Sequence, residues 1–193
     1  TGTAGVDSAA QRAHDAAPES SLRESSVPTT VYLGLGGNVG DRRVRLAAAL
    51  HAIARIVAID AVSPVYASAP IGFADQPDFW NLVVRVHTTV APERLLAAVK
   101  DIEPALGRTS TFRNGPREID IDILLYDDVV RATSPVIPHP RMHERAFVLR
   151  PLADLDPTLR DPRDGERWTA YLDDVRDQRI EPVLDGALLL EEG

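Results

Sequence analysis

Residues 81–106 read Asn-Leu-Val-Val-Arg-Val-His-Thr-Thr-Val-Ala-Pro-Glu-Arg-Leu-Leu-Ala-Ala-Val-Lys-Asp-Ile-Glu-Pro-Ala-Leu, and the change of period inside them decides the fold. From Asn81 to Thr88, Leu82, Val84 and Val86 alternate with Val83, Arg85 and His87, as in a half-exposed strand. Pro92 suits a first helical position. Leu95, Val99, Ile102 and Leu106 then recur at spacings of 4, 3 and 4, one face of a helix that Gly107 ends.

The same alternation of elements extends in both directions. Thr30 to Leu35 reads as a strand, and Gly34 to Gly40 as a tight strand-to-helix turn. Asp41 is an N-cap for a helix carrying Leu46, Leu50, Ile53 and Val57 on one face. Ile59 to Tyr66 is a strand interrupted or ended by Pro64. Downstream, Glu118 to Tyr126 is a strand, and Asp127-Asp128 turns into a short one through Ala132. From Pro138 to about Val175 the chain reads as loop and short helices, with Pro151 breaking any continuous one. The order strand, helix, strand, strand, helix, strand is that of a ferredoxin-like α+β sandwich, a mainly antiparallel sheet with helices packed on it. Residues 1–28 hold no aromatic and only three larger aliphatics, so they are expected to be a disordered tail. The working domain is expected over 29–176. Residues 177–193 form a C-terminal tail to which the sequence assigns no role.

Composition removes several chemistries. The 193 residues contain no cysteine, so a cysteine nucleophile, a cysteine zinc site and a disulfide framework are all excluded. Lys100 is the single lysine among 21 basic residues, so phosphate binding would rest on arginine forks. The net charge of -8 is concentrated in residues 154–193, where 12 acids face 5 bases, leaving the preceding residues near neutrality. A near-neutral, lysine-poor core argues against a nucleic-acid groove. No apolar run approaches the roughly 20 residues of a membrane span, and the opening residues lack a basic start and an apolar segment. The expectation is a cytoplasmic protein without membrane or nucleic-acid partners.

The sharpest local feature is Ile119-Asp120-Ile121-Asp122-Ile123. Side chains alternate along a strand, so the isoleucines enter a core while both carboxylates share the other face, able to hold a hard cation such as Mg²⁺ together with phosphates. A solvated acidic face gives the same pattern. Arg108, Arg113 and Arg117 lie just upstream, and arginines beside a metal-binding acid pair are the two halves of a polyphosphate site. Surface ion pairs are the alternative. Phe73, Phe79 and Trp80, with Gln76 and Asn81, could sandwich a planar heterocycle and bond its edge, or Phe79 and Trp80 could be core anchors. His139 and His143 are four apart, but Pro138 and Pro140 disfavour a helix there, so phosphate or ribose contact is preferred to metal ligation.

Read together, Gly36-Gly37-Asn38, Pro70-Ile71-Gly72, Asp75-Gln76-Pro77-Asp78-Phe79-Trp80-Asn81, Gly107-Arg108, Gly115-Pro116-Arg117, Asp120-Ile121-Asp122 and Pro138-His139-Pro140-Arg141-Met142 follow in this order. The chain resembles the 6-hydroxymethyl-7,8-dihydropterin pyrophosphokinases over about Val31 to Asp156. That resemblance implies transfer of diphosphate from ATP, as co-substrate, to a pterin alcohol in folate biosynthesis, with AMP leaving. It implies that Asp120 and Asp122 hold two Mg²⁺ ions and that Arg108 and Arg117 complete the catalytic set. The pterin would be bound by Asn81, stacked between Phe79 and Phe147, with backbone near Ser68 and Ile71 at the ring edge. Glu103, Arg108, Arg113, Arg117, Ile123, His139 and Arg145 would serve ATP. An arginine-bearing loop that closes over the substrates is also implied, although here Asn114 stands where a tryptophan is often found, Ser110 replaces a second arginine and the loop is about one residue shorter. A monomer acting on small molecules is expected. The rivals are a two-metal phosphodiesterase or nuclease and a non-catalytic binding module, which would need neither aspartate.

Overall fold

The computed structural model describes residues 27–109, 111–112 and 114–191. Most of the expected N-terminal tail, 1–28, and Ser110 and Arg113 of the arginine loop lie outside the described residues. The elements are β1 (Thr29–Gly37), α1 (Arg42–Ala54), β2 (Ala58–Val62), β3 (Val65–Ser68), β4 (Phe79–Thr88), α2 (Pro92–Ala105), β5 (Asp120–Tyr126), α3 (Ala146–Leu155) and β6 (Ile180–Leu184), with short 3-10 segments at Met142–Glu144, Trp168–Val175 and Gly186–Leu190. All pairings between strands are antiparallel, in the order β5-β1-β4-β3-β6. Pro64 splits the second strand run as expected: β2 pairs with residues 84–87 of β4 and β3 with residues 79–81. The α+β sandwich is therefore present.

Helices α1 and α2 cover one face of the sheet. Asp41 caps α1, accepting from the Val44 N–H at 3.1 Å. Leu46, Leu50 and Ile53 from α1 and Leu95, Val99 and Ile102 from α2 pack there on Val31, Leu33, Leu35, Ile121 and Ile123. Each such fully buried aliphatic contributes about 1.5–3 kcal/mol. The other face carries a second core of Tyr32, Val83, Leu124 and Leu125 under Leu149, Leu152 and Trp168. Covering by α3 is why Val83 is fully buried, so β4 is enclosed on both faces where alternation predicts a half-exposed strand.

Four expectations change. The glycine run is strand through Gly37 instead of a turn. After β5, Asp127 turns at φ 47 and Arg131 exchanges two backbone hydrogen bonds with Ile137, an isolated bridge in place of a strand. Pro151 does not break α3, which runs through it from Ala146 to Leu155. The proline removes one helical hydrogen bond, and burial of Val148, Leu149 and Leu152 against the sheet offsets that loss. Residues 177–193, set apart by the sequence as a tail, supply β6 on the edge of β3, and their Leu189 is fully buried in the core beside α1. No helix among the described residues is long and apolar enough to cross a membrane.

Candidate active site

The site is built on the α3 side of the sheet, beyond the end of the second core. Strand register sets Asp120 opposite Gly36 and Gly36 opposite Asn81, with Asp122 opposite Gly34 one step along. Because alternate residues share a face, this row presents two carboxylates, two bare glycines and an amide to the same side. The glycines are bare for a reason. A Cβ at Gly36 would lie 2.4 Å from the Asn81 Oδ1. Without side chains at 34 and 36, the strands floor a cleft of about 730 Å³, within the usual range for small-molecule sites.

At one end of the cleft, Asn81 is almost fully buried and its Nδ2 donates to the Ser68 hydroxyl at 2.9 Å. Phe79 and Phe147 both line the cleft, and each has a guanidinium over its ring: Arg117 at 5.4 Å from the Phe79 centroid, Arg145 at 5.6 Å from that of Phe147. Trp80 points the other way, into the main core, so the two readings of the aromatic pair are divided between neighbours. Ile71 stands half-exposed at the rim.

At the other end lies a dense ionic cluster. Lys100 donates from Nζ to Glu103 at 2.7 Å, Asp122 at 3.1 Å and Asp120 at 3.3 Å. Arg108 binds Asp120 at 2.6 Å and also pairs with Glu103; Arg117 binds the other Asp120 oxygen at 2.7 Å. Burial works against the Asp120 charge, but Lys100, Arg117 and Arg108 outweigh it and hold the carboxyl below its ordinary range. Burial likewise works against Lys100, and Asp122, Asp120 and Glu103 outweigh it, so its ammonium is stabilised. Arg145 is different: burial and its neighbour Arg141 both lower its pKa, leaving a cation that would gain from an anion. Burial also lowers His139, against the opposing pull of Asp122.

Thirteen of the residues expected at the site can be placed. Ser68, Ile71, Phe79, Asn81, Glu103, Arg108, Arg117, Asp120, Asp122, His139, Arg145 and Phe147 all line the cleft. Ile123 does not; its side chain is in the core beneath α1 and α2 because its strand neighbours Asp122 and Leu124 take the other face. Arg113 lies outside the described residues. His143 is turned away, its ring 6.1 Å from Tyr171, so it shares no site with His139. Among the described residues no group of three or more acidic or histidine side chains forms a ready-made metal cage. Asp120 and Asp122 would serve Mg²⁺ in a different manner: two hard carboxylate donors side by side on the cleft wall, where a cation would replace contacts now made by Lys100, Arg108 and Arg117 and phosphates would complete the shell.

Residues 32–157 match the family model described as 7,8-dihydro-6-hydroxymethylpterin-pyrophosphokinase. The chain belongs to that family. Relatives named 2-amino-4-hydroxy-6-hydroxymethyldihydropteridine pyrophosphokinase include one from Pseudomonas aeruginosa, 46% identical over 145 residues that span 74% of this chain and 89% of its own. One from Aquifex aeolicus is 42% identical over 134 residues, 69% of this chain and 84% of the relative. The fold is shared with the crystal structure of Plasmodium falciparum HPPK-DHPS at a TM-score of 0.66 and 17% identity, over 81% of this chain and 45% of that one.

In this pyrophosphokinase, two residues escape the sequence reading. Composition marks Lys100 only as the single lysine; the signal for its role is its place three residues before Glu103 on the helix face toward β5. Asn38 is 3% exposed and ties three loops together. Its Nδ2 donates to Gln76 Oε1 and to the Pro77 carbonyl, both at 2.9 Å, while its Oδ1 accepts from the Arg117 N–H at 2.9 Å. The Gly-Gly-Asn motif carried that information, but its partners are 38 and 79 residues away.

Proposed function

We propose that this member of the family transfers diphosphate from ATP to the hydroxymethyl oxygen of 6-hydroxymethyl-7,8-dihydropterin through the residues of this cleft. The observation that supports these residue roles is the cross-strand row of Asp120, Gly36 and Asn81, which puts a carboxylate and an amide on one floor.

At the heterocycle end, the Asn81 amide, braced by Ser68, would bond the pterin edge while Phe79 and Phe147 take its faces. The guanidiniums of Arg117 and Arg145 now over those rings would swing to phosphate oxygens, where forked contacts hold better. Arg108, Arg113, His139 and Glu103 would serve the nucleotide. Bound at Asp120 and Asp122, two Mg²⁺ ions would supply neutralisation of the phosphate oxygens and rigid orientation of the polyphosphate. The pterin oxygen forms a bond to the β-phosphorus, the bond from that phosphorus to the α–β bridging oxygen breaks, AMP leaves and the hydroxyl proton is released. Positioning and charge neutralisation carry most of the rate.

A monomer in a cytoplasmic setting is proposed with it, and the lack of cysteine suits that compartment. The test is to incubate the protein with ATP, Mg²⁺ and the pterin alcohol and to separate the nucleotides. AMP with pterin diphosphate is the expected result; no AMP, or ADP in its place, overturns the assignment.

A further inference from the structure

The first turn of α3 carries Phe147, yet its N-cap, Arg145, makes no side-chain capping bond. The donors of a helix start need partners. One comes from 32 residues downstream: Gln178 Oε1 accepts from the Ala146 N–H at 2.9 Å, and Gln178 Nε2 donates to the Glu144 carbonyl at 2.8 Å. The next residue, Arg179, reaches the opposite wall. Its Nη2 donates to both oxygens of Asp78, at 2.8 and 2.7 Å, and Asp78 immediately precedes Phe79. Ile180 then pairs with Ser68, the residue that braces Asn81. Behind the aromatic slot lies a second cavity of about 310 Å³, and Gln178 and Arg179 line it together with Ser68, Ile71 and Phe147.

Two consecutive side chains thus hold a group beside each aromatic wall, Gln178 the backbone that precedes Phe147 and Arg179 the Asp78 carboxylate that precedes Phe79, and the strand that follows fixes both to β3. We infer that Gln178 and Arg179 are positioning residues for the pterin slot, holding the Phe147 helix start and the Phe79 strand start at a fixed separation. They lie beyond residues 32–157, the part that matches the family model. Neither touches the ionic end of the cleft. The clamp should therefore tune pterin affinity and leave nucleotide affinity alone. This inference rests on the reading of Phe79, Asn81 and Phe147 as the pterin site.

The test compares the full chain with Gln178→Ala, Arg179→Ala, the double variant and Arg179→Lys. Pterin binding is followed by fluorescence titration of 6-hydroxymethylpterin with a non-hydrolysable ATP analogue present, and analogue binding by calorimetry. The double variant should weaken pterin binding roughly tenfold, with KM for the pterin rising alike and analogue affinity within about twofold, since small misplacements of binding groups cost this much. Arg179→Lys, which keeps the charge and loses the fork, should fall between Arg179→Ala and the wild type. Unchanged pterin affinity in the double variant, or equal weakening of pterin and analogue together with a lowered unfolding midpoint, overturns the clamp while the pocket reading stands. A wild-type protein that binds no pterin overturns the pocket reading and the clamp with it.

Discussion

The two faces of the sheet are made by the same strands and treated in opposite ways. On the α1 and α2 face, the inward strand positions Val31, Leu33, Leu35, Leu82, Val84, Val86, Ile121 and Ile123 are all filled by apolar packing. On the α3 face, filling stops halfway: Tyr32, Val83, Leu124 and Leu125 are covered, and beyond them come Gly34, Gly36, Asn81, Asp120 and Asp122 around open space. A strand has one alternation to spend on two surfaces. Here one surface is given wholly to stability, and the other is split between stability and chemistry.

If that division holds, substitutions should sort by face. The largest effect on turnover belongs to Asp122→Ala, which removes a cleft carboxylate bonded to Lys100. AMP formation should drop by roughly 10²–10³-fold or more, with the unfolding midpoint little changed; full activity would break the comparison at its centre. Leu50→Ala, on the filled face, should do the reverse. Truncating this fully buried side chain should cost about 2–5 kcal/mol in a denaturant titration, with kcat unchanged where the protein is still folded.

Gly36→Ala sharpens the boundary. The added methyl would sit 2.4 Å from Asn81 Oδ1, so pterin KM should rise roughly tenfold as the amide is displaced, while the stability loss stays near the 1–3 kcal/mol of mild overpacking. The smallest effect concerns the covered half of the α3 face. Asp161 is fully buried; burial raises its pKa, but hydrogen bonds from the Arg163 side chain and backbone outweigh that and keep the carboxyl below its ordinary value. A depressed folded pKa means that its contribution is present above the unfolded value and is lost as pH falls through the folded one. Asp161→Asn should therefore flatten stability against pH below about pH 4, with the turnover profile near neutrality unmoved. An unchanged acid limb would assign that dependence to other carboxylates.

What could be read from the sequence was whatever repeats at short range. The 4-3-4 spacing placed α1 and α2, the alternation of Ile119 to Ile123 put both aspartates on one face, and Pro64 marked the break between β2 and β3. Failures came where distant contacts overrule local preference. Glycine prefers turns, yet Gly34 to Gly37 is strand because two neighbouring strands supply ladder partners on either side. Pro151 disfavours helix, yet the sheet beneath α3 holds it. By contrast, Ile123, which the resemblance implies at ATP, sends its side chain to the core as the alternation of Ile119 to Ile123 predicts.

By itself, then, the sequence determined the order of strands and helices from β1 to β5, the pairing of two carboxylates on one face and, through motifs spaced from Gly36 to Met142, the family. Only the tertiary structure decided that Lys100 bridges Glu103 and both aspartates, that Asn38 joins three loops, and that a C-terminal segment without motifs reaches both walls of the aromatic slot. Periodicity is a property of neighbours along the chain and can be read there. Which side chains meet across a sheet depends on register, and register is set when the whole hydrophobic pattern of each strand must match its partners at once.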